Sequence, residues 1–133
     1  MKINILIVLF LLTTFSLFPQ QFTLDGFSDS INNNDIDRII AYMYDDYILY
    51  EMQTVHIAGN VLESQAYIMD RGGLYNLLAE FISEISLLDL FISDLELQGY
   101  NDELGWMFVF TKTRGDFKLI RIIHMDLVFT GGA

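Results

Sequence analysis

The chain contains no cysteine among its 133 residues, which excludes disulfide scaffolds, thiolate metal sites and cysteine nucleophiles. Basic side chains are also scarce, because 7 lysines and arginines face 18 aspartates and glutamates. A protein that binds duplex nucleic acid normally carries a basic surface that neutralises phosphates. The net charge of −11 therefore argues against nucleic acid as a partner, while the 53% hydrophobic content argues against intrinsic disorder.

A long apolar run occupies residues 3–18, directly after the positive charge of Lys2. Its length of about 16 residues is below the roughly 20 that a membrane-spanning helix needs. With the small Ser16 near its end, the run is typical of a secretory signal peptide, although an uncleaved anchor is the alternative. We predict that residues 1–20 are a signal peptide and that residues 21–133 form one domain, exported to the periplasm or the extracellular space. No cysteine follows the run, so a lipoprotein anchor is excluded and no stable membrane anchor is expected after cleavage.

Charge is distributed unevenly along the sequence. From Asp25 to Glu103 acidic side chains predominate, and the only basic ones are Arg38 and Arg71. Between residues 112 and 121, four basic side chains face a single acidic one. Two interpretations stay open: a solvated acidic surface with a basic hairpin, or a bipolar surface that orients a partner or a second copy.

Two amphipathic helices are predicted from apolar residues spaced at i, i+3, i+4 and i+7. The first follows a polar turn in which Asn33 or Asn34 can cap it, and the second follows the break at residues 71–73. A shorter helix around Phe27 is expected before them. The apolar stripes are Ile36, Ile39, Ile40, Met43 and Tyr44 in the first helix and Leu74, Leu77, Leu78, Phe81, Ile82 and Ile85 in the second.

The second half of the chain is predicted to be mostly β-structure. A strand is expected at residues 47–58, and after residue 87 apolar residues alternate with period two, at 91–97 and at 106–110. A tight hairpin at residues 113–116 then leads into a last strand. That strand places Phe117, Leu119, Arg121, Ile123, Met125 and Leu127 on one face and Lys118, Ile120, Ile122, His124, Asp126 and Val128 on the other. Both faces are substantially apolar, and only one can pack on the helices, so we predict a homodimer through the sheet face.

Three segments resemble a known superfamily. Residues 35–46 run from a helix into an Asp-Asp turn and a first strand, residues 71–73 place glycines before an amphipathic helix, and residues 115–124 form an alternating run behind a hairpin. Together with the order of helices and strands, they resemble the nuclear transport factor 2-like superfamily. The resemblance implies an α+β fold of cystatin-like type, a cone in which a curved antiparallel sheet wraps around N-terminal helices.

The same superfamily contains ketosteroid isomerases and SnoaL-like cyclases as well as non-catalytic pockets and dimerisation modules. Counted from Asp45 and Asp46, Glu51 falls where the isomerases place their catalytic carboxylate. The resemblance thus implies a general base whose pKa is raised inside an apolar cone. The oxyanion-stabilising tyrosine of the isomerases would fall near Phe27, which has no hydroxyl, and Met52 replaces the proline that usually follows the base.

In a cone of this kind, aromatic side chains line the pocket. We expect the pocket to be lined by Phe27, Tyr44, Tyr50, Trp106, Phe108 and His124. The two histidines are too few for a His-rich metal site, although an imidazole with carboxylates such as Glu51 or Asp126 would be the alternative. No phosphate-binding glycine loop is present. We therefore predict neither a metal nor a cofactor. The predicted function is an exported, non-catalytic module that binds a second copy or a small apolar ligand; the alternative is a small isomerase or cyclase-like enzyme with Glu51 as base.

Overall fold

The computed structural model describes residues 22–56 and 60–128, so the predicted signal peptide at residues 1–20 lies outside the described residues. The helices are α1 (Leu24–Asn32), α2 (Ile36–Ala41) and α3 (Arg71–Ser86). The strands are β1 (Tyr47–His56), β2 (Val61–Asp70), β3 (Phe91–Ser93), β4 (Glu96–Tyr100), β5 (Leu104–Thr113) and β6 (Asp116–Val128). In these two ranges, no helix is long and apolar enough to cross a membrane.

The six strands form one sheet in the order β2-β1-β6-β5-β4-β3. Every neighbouring pair is antiparallel except β1 and β6, which are parallel, so the sheet is mixed. The helices pack on one face of this sheet, which we call the helix face. Two helices precede β1 and the third follows β2, and together they cover one face of the six-stranded sheet, which confirms the predicted α+β class. The sheet departs from the predicted antiparallel one in the single parallel pair, because β6 returns to lie beside β1.

The helix face carries the main hydrophobic core, and its centre is aromatic. Phe27 of α1 contacts Tyr42, Phe108 and Phe110, with ring centroids 5.0, 5.1 and 4.9 Å away. Trp106, Phe27 and Phe108 have no exposed surface at all. Burying one such side chain stabilises the fold by roughly 1.5–3 kcal/mol, so this cluster is a major source of stability in a chain without disulfides.

The opposite side of the sheet, the back face, carries a smaller apolar cluster and one ion pair. Val55, Ile123 and Met125 form the buried part of this cluster, with Met107, Val109 and Leu127 packed against it. Glu51 and Arg121 lie beside them, because Glu51 is paired with Ile123 and Arg121 with Leu49 across the parallel β1 and β6 strands. The back face is thus defined by Glu51, Val55, Met107, Val109, Arg121, Ile123, Met125 and Leu127.

The predicted facing of the last strand is wrong for the residues before Ile120. In β6, Arg121 pairs with Val109 and Leu119 pairs with Phe110, which leaves Ile120 without a partner in β5. This bulge rotates the strand, so Phe117 and Leu119 join the helix-face core instead of sharing a face with Arg121. The strict alternation assumed from the sequence therefore holds only after the bulge.

Two details of the predicted helices also change. The cap of α2 is Asp35, whose side chain accepts a hydrogen bond from the Arg38 amide, and not Asn33 or Asn34. Asn34 has a positive φ of 54°, which places it in the turn between α1 and α2. The helix ends at Ala41 because the next backbone groups bond to Leu119 of β6. The predicted apolar stripe consequently stops at the helix end, and Tyr44 is exposed.

The predicted strands are largely present, with two differences. The run at residues 91–97 is a hairpin of β3 and β4 and not one strand, because Asp94 has a φ of 55° and turns the chain. Strand β2 was not predicted at all. The hairpin at residues 113–116 is confirmed, since Arg114 and Gly115 both have positive φ, at 52° and 85°, as the tight two-residue turn requires.

Candidate functional site

The structure does not bring the six predicted pocket residues together around one cavity. Phe27 and Phe108 are fully buried in the core, and Trp106 fills the space between the sheet and α3. Tyr44 is 56% exposed on the other side of α2, away from this interior. Only Tyr50 and His124 meet as a polar pair, with 3.1 Å between the Tyr50 hydroxyl and His124 Nδ1. The interior of the cone is therefore filled by side chains.

His124 is the centre of a polar network on the helix face. Its ring stacks on Trp106 at 4.0 Å, and Phe81 of α3 packs on it at 5.0 Å. Its Nε2 lies 3.9 Å from Glu84 Oε2, and the same carboxylate oxygen accepts a hydrogen bond from Trp106 Nε1 at 3.0 Å. Both nitrogens of the imidazole thus have polar neighbours, and the ring is held between aromatic groups.

Burial decides the ionisation of this network. Burial lowers the pKa of His124, outweighing the carboxylates of Glu84, Asp126 and Glu80, which act in the opposite direction. Burial also raises the pKa of Tyr50 to about 12, with Glu80 adding to the effect. At neutral pH, His124 is therefore neutral and the Tyr50 hydroxyl keeps its proton, which it can donate to Nδ1. This arrangement satisfies the buried polar groups.

A groove of about 130 Å³ opens beside His124 on the helix face. It is lined by Met52, Gln53, Thr54, Glu63, Gln65, His124 and Asp126. Two carboxylates, two amides, a hydroxyl and an imidazole make this lining polar, and Met52 is its one aliphatic side chain. The groove therefore does not have the aromatic, apolar lining that was predicted for a ligand pocket.

Glu51 lies on the back face, outside the cone. Its carboxylate is held by Arg121 at 2.7 and 2.8 Å and accepts a further hydrogen bond from Gln53 at 3.1 Å. The Arg121 hydrogen bond lowers the pKa of Glu51, overcoming the effect of burial. The expectation of a raised pKa for Glu51 is therefore wrong, because the predicted apolar surroundings contain a guanidinium.

These contacts limit what Glu51 can do chemically. A carboxylate that is paired with arginine and has a low pKa is a weak proton acceptor. No hydroxyl of the helix-face network is near it, because Tyr50 and His124 project from the opposite side of the sheet. Within residues 22–56 and 60–128, no group of three or more histidine and acidic side chains could hold a metal ion.

Two partners in these networks were missed from the sequence. Glu84 follows Phe81 by three residues on α3, so a carboxylate at the margin of the apolar stripe was a signal that it faces the sheet. The single tryptophan, whose buried N–H needs an acceptor, was a second signal. Arg121 was placed on the same face as Ile123, but its pairing with Glu51 depends on the parallel register of β1 and β6, which local patterns do not contain.

Solved structures similar to this chain include two DUF4783 family proteins from Bacteroides. The one from Bacteroides ovatus is 13% identical, with a TM-score of 0.49, over 83% of this chain and 99% of that chain. The one from Bacteroides uniformis is 14% identical, with a TM-score of 0.44, over 78% of this chain and 96% of that chain.

A third similar structure is an NTF2-like protein with a cystatin-like fold from Novosphingobium aromaticivorans. It is 7% identical, with a TM-score of 0.35, over 83% of this chain and 79% of that chain. No protein-family model matches the chain, and no curated protein matches it in sequence. At these identities the likeness concerns the fold alone.

Proposed function

We propose that the protein is an exported module that acts by association with a second copy of itself, through the back face of the sheet, and not by catalysis. The observation that carries this proposal is the filled cone. Trp106, Phe27 and Phe108 occupy the interior without any exposed surface, so they close this part of the interior to a substrate or apolar ligand. Apart from the polar groove beside His124, the larger accessible surfaces lie on the outside of the sheet.

The back face suits contact between two copies. Its strands present Met107, Val109 and Leu127, which are only partly buried, around the cluster of Ile123 and Met125. On the same side of the sheet, Ile68 of β2 stands beside Leu49 and is 77% exposed. A two-fold contact would bring these residues against their own copies and remove apolar surface from water.

Charge also favours this face over the others. The chain carries a net charge of −11, so two copies repel each other at most orientations. On the back face, the carboxylate of Glu51 is neutralised by Arg121 at 2.7 Å, and the strand residues around the pair are apolar. An approach through this face therefore sets no unpaired carboxylate of Glu51 against the other copy.

The enzyme alternative has little support from the geometry. Glu51 would have to give up its hydrogen bonds to Arg121 and Gln53 before it could accept a proton. His124, which is neutral at pH 7, has its Nδ1 in a hydrogen bond with Tyr50, and its Nε2 faces Glu84 at 3.9 Å. Glu51 and His124 Nδ1 are therefore both engaged within the protein in the arrangement that the structure shows.

The variant Val109→Lys tests the back-face contact, because it places a charge among partly buried apolar residues. We expect sedimentation velocity to show a dimer for the wild-type protein and at least a tenfold weaker association for Val109→Lys. Leu87→Lys is the matched control, since it also replaces an apolar residue with lysine, but at an exposed position at the end of α3. Equal association of the two variants would contradict the proposed face, provided that circular dichroism shows both to be folded.

Export is tested on the N-terminus of the protein recovered from outside the cytoplasm. Mass spectrometry is expected to find a chain that begins near residue 21, without the apolar run at residues 3–18. A chain that retains residue 1, or that stays with the membrane fraction, would contradict cleavage of a signal peptide.

A further inference from the structure

Strand β2 is an edge strand that is exposed along almost its whole length. It is the outermost strand of the sheet on its side, with β1 as its neighbour. Nine of its ten residues are exposed, and only Met69 is partly buried. Among the described residues, no strand or helix covers its outer edge, so the outward-pointing N–H and C=O groups of β2 have no backbone partner there.

Proteins usually protect an edge of this kind. Edge strands are kept short or carry lysine, proline or inward-pointing charge, because unpaired backbone groups attract another strand. The other edge of this sheet, β3, follows that rule with three residues. Strand β2 has ten residues, contains neither lysine nor proline, and exposes Leu62, Tyr67 and Ile68. Glu63 is its one charge before the terminal Asp70.

We propose that β2 pairs antiparallel with β2 of a second copy about a two-fold axis at Gln65. This register brings the exposed Leu62, which forms a bulge in the pairing of β2 with β1, next to the exposed Ile68 of the other chain, so apolar side chains meet at both ends of the contact. It places Glu63 opposite the uncharged Tyr67, whose hydroxyl donates to Gln65 of its own strand at 2.7 Å. No acidic residue of β2 then faces another, which matters in a protein with a net charge of −11.

The edge contact is a second surface, distinct from the back-face contact. Antiparallel pairing of two edge strands joins the two six-stranded sheets into one sheet of twelve strands. The two-fold axis runs through that sheet, so both back faces lie on the same side of it and stay accessible. Edge pairing and back-face pairing can therefore occur together, and a chain that uses both assembles beyond the dimer.

The register is tested by the variant Gln65→Cys. In a pair centred on residue 65, the two Cα atoms are about 4.5–5.5 Å apart, inside the range of roughly 4.4–6.8 Å that a disulfide allows. Because the chain has no cysteine, no other thiol can compete. We expect mild oxidation to convert most of the protein to a covalent dimer. In the matched variant Leu87→Cys, we expect only the small fraction of covalent dimer that random collisions produce. Equal cross-linking of the two variants would overturn the proposed register.

A second variant, Gln65→Lys, tests the edge without chemical modification. Gln65 is exposed and pairs with Met52 on the helix-face side of β1, so lysine there leaves the back face unchanged. In the proposed pair, this variant sets two lysines opposite each other at the axis, which weakens the contact. We expect at least tenfold weaker edge association, measured by sedimentation velocity against Leu87→Lys. If Val109→Lys weakens association and Gln65→Lys does not, the back-face proposal stands and the edge proposal fails. If Gln65→Lys alone weakens it, the edge proposal stands and the back-face proposal fails.

Discussion

At the scale of single residues, two titratable groups that stand on opposite faces of the sheet have different surroundings. Glu51 has an arginine partner on the back face, and the hydrogen bond lowers its pKa. His124 is packed between Trp106 and Phe81 on the helix face, and burial lowers its pKa. In both cases the surroundings make the deprotonated form the stable one in the folded protein.

The ion pair of Glu51 predicts a loss of stability on acidification. Since the folded-state pKa is lowered, the stabilisation is present above the unfolded value of about 4.3 and is lost as the pH falls through the folded value. We expect Glu51→Gln to lower the free energy of unfolding by about 1–2 kcal/mol at pH 7, between the values for exposed and buried pairs. Chemical denaturation at pH 7 and pH 3 measures this, and a difference from wild type that is as large at pH 3 as at pH 7 would contradict it.

His124 predicts a second acid-sensitive range at higher pH. Its pKa is lowered below the unfolded value of about 6.5, so its contribution is present above that value and is lost as the pH falls through the folded value. NMR titration of the imidazole, assigned by the signal that His124→Gln removes, is expected to give a midpoint below 6.5. A midpoint above 6.5 would show that Glu84 outweighs burial.

At the scale of secondary-structure elements, the sequence predicts those that are buried on one side. Helix α3 was predicted because Leu74, Leu78 and Ile85 are buried at helical spacing. Strand β2 was missed because both of its sides are exposed, so Glu63, Ser64 and Gln65 show no alternation. The bulge at Ile120 depends on the pairing of β6 with β5 and leaves no local signal.

The candidate site was less predictable than the fold, for the same reason. Trp106 and His124 were both expected among the residues that line a pocket, and in the structure their rings stack at 4.0 Å. The environment of Glu51 depends on Arg121, which is 70 positions away in the chain and reaches it through the parallel pairing of β1 and β6. The resemblance drew attention to Glu51, but it did not include Arg121. The guanidinium beside Glu51 lowers the pKa that was expected to be raised.

The cap of α3 predicts a stability effect at this scale. Asp70 ends β2 and accepts a hydrogen bond from the Gly73 amide at 2.8 Å, so it satisfies one of the free N–H groups of the helix. We expect Asp70→Ala to cost about 1 kcal/mol of stability. Asp89→Ala, an exposed aspartate between α3 and β3, is the control. Equal denaturation midpoints for the two variants would contradict the capping role.

At the scale of the whole molecule, a filled interior and an accessible sheet define what the fold can do. The aromatic core on the helix face holds the helices to the sheet without disulfides. Two accessible surfaces, the back face and the edge of β2, are both built from strands and both low in charge for so acidic a chain. The same elements that exclude a large ligand from the interior therefore present surfaces for association.

Sedimentation velocity of the wild-type protein over a wide concentration range tests association most directly. We expect a species of at least twice the mass of one chain. Its population increases with salt concentration, because salt screens the repulsion between acidic copies. A single species at the mass of one chain, at the highest concentration and at high salt, would contradict the central claim that this protein acts by pairing with itself.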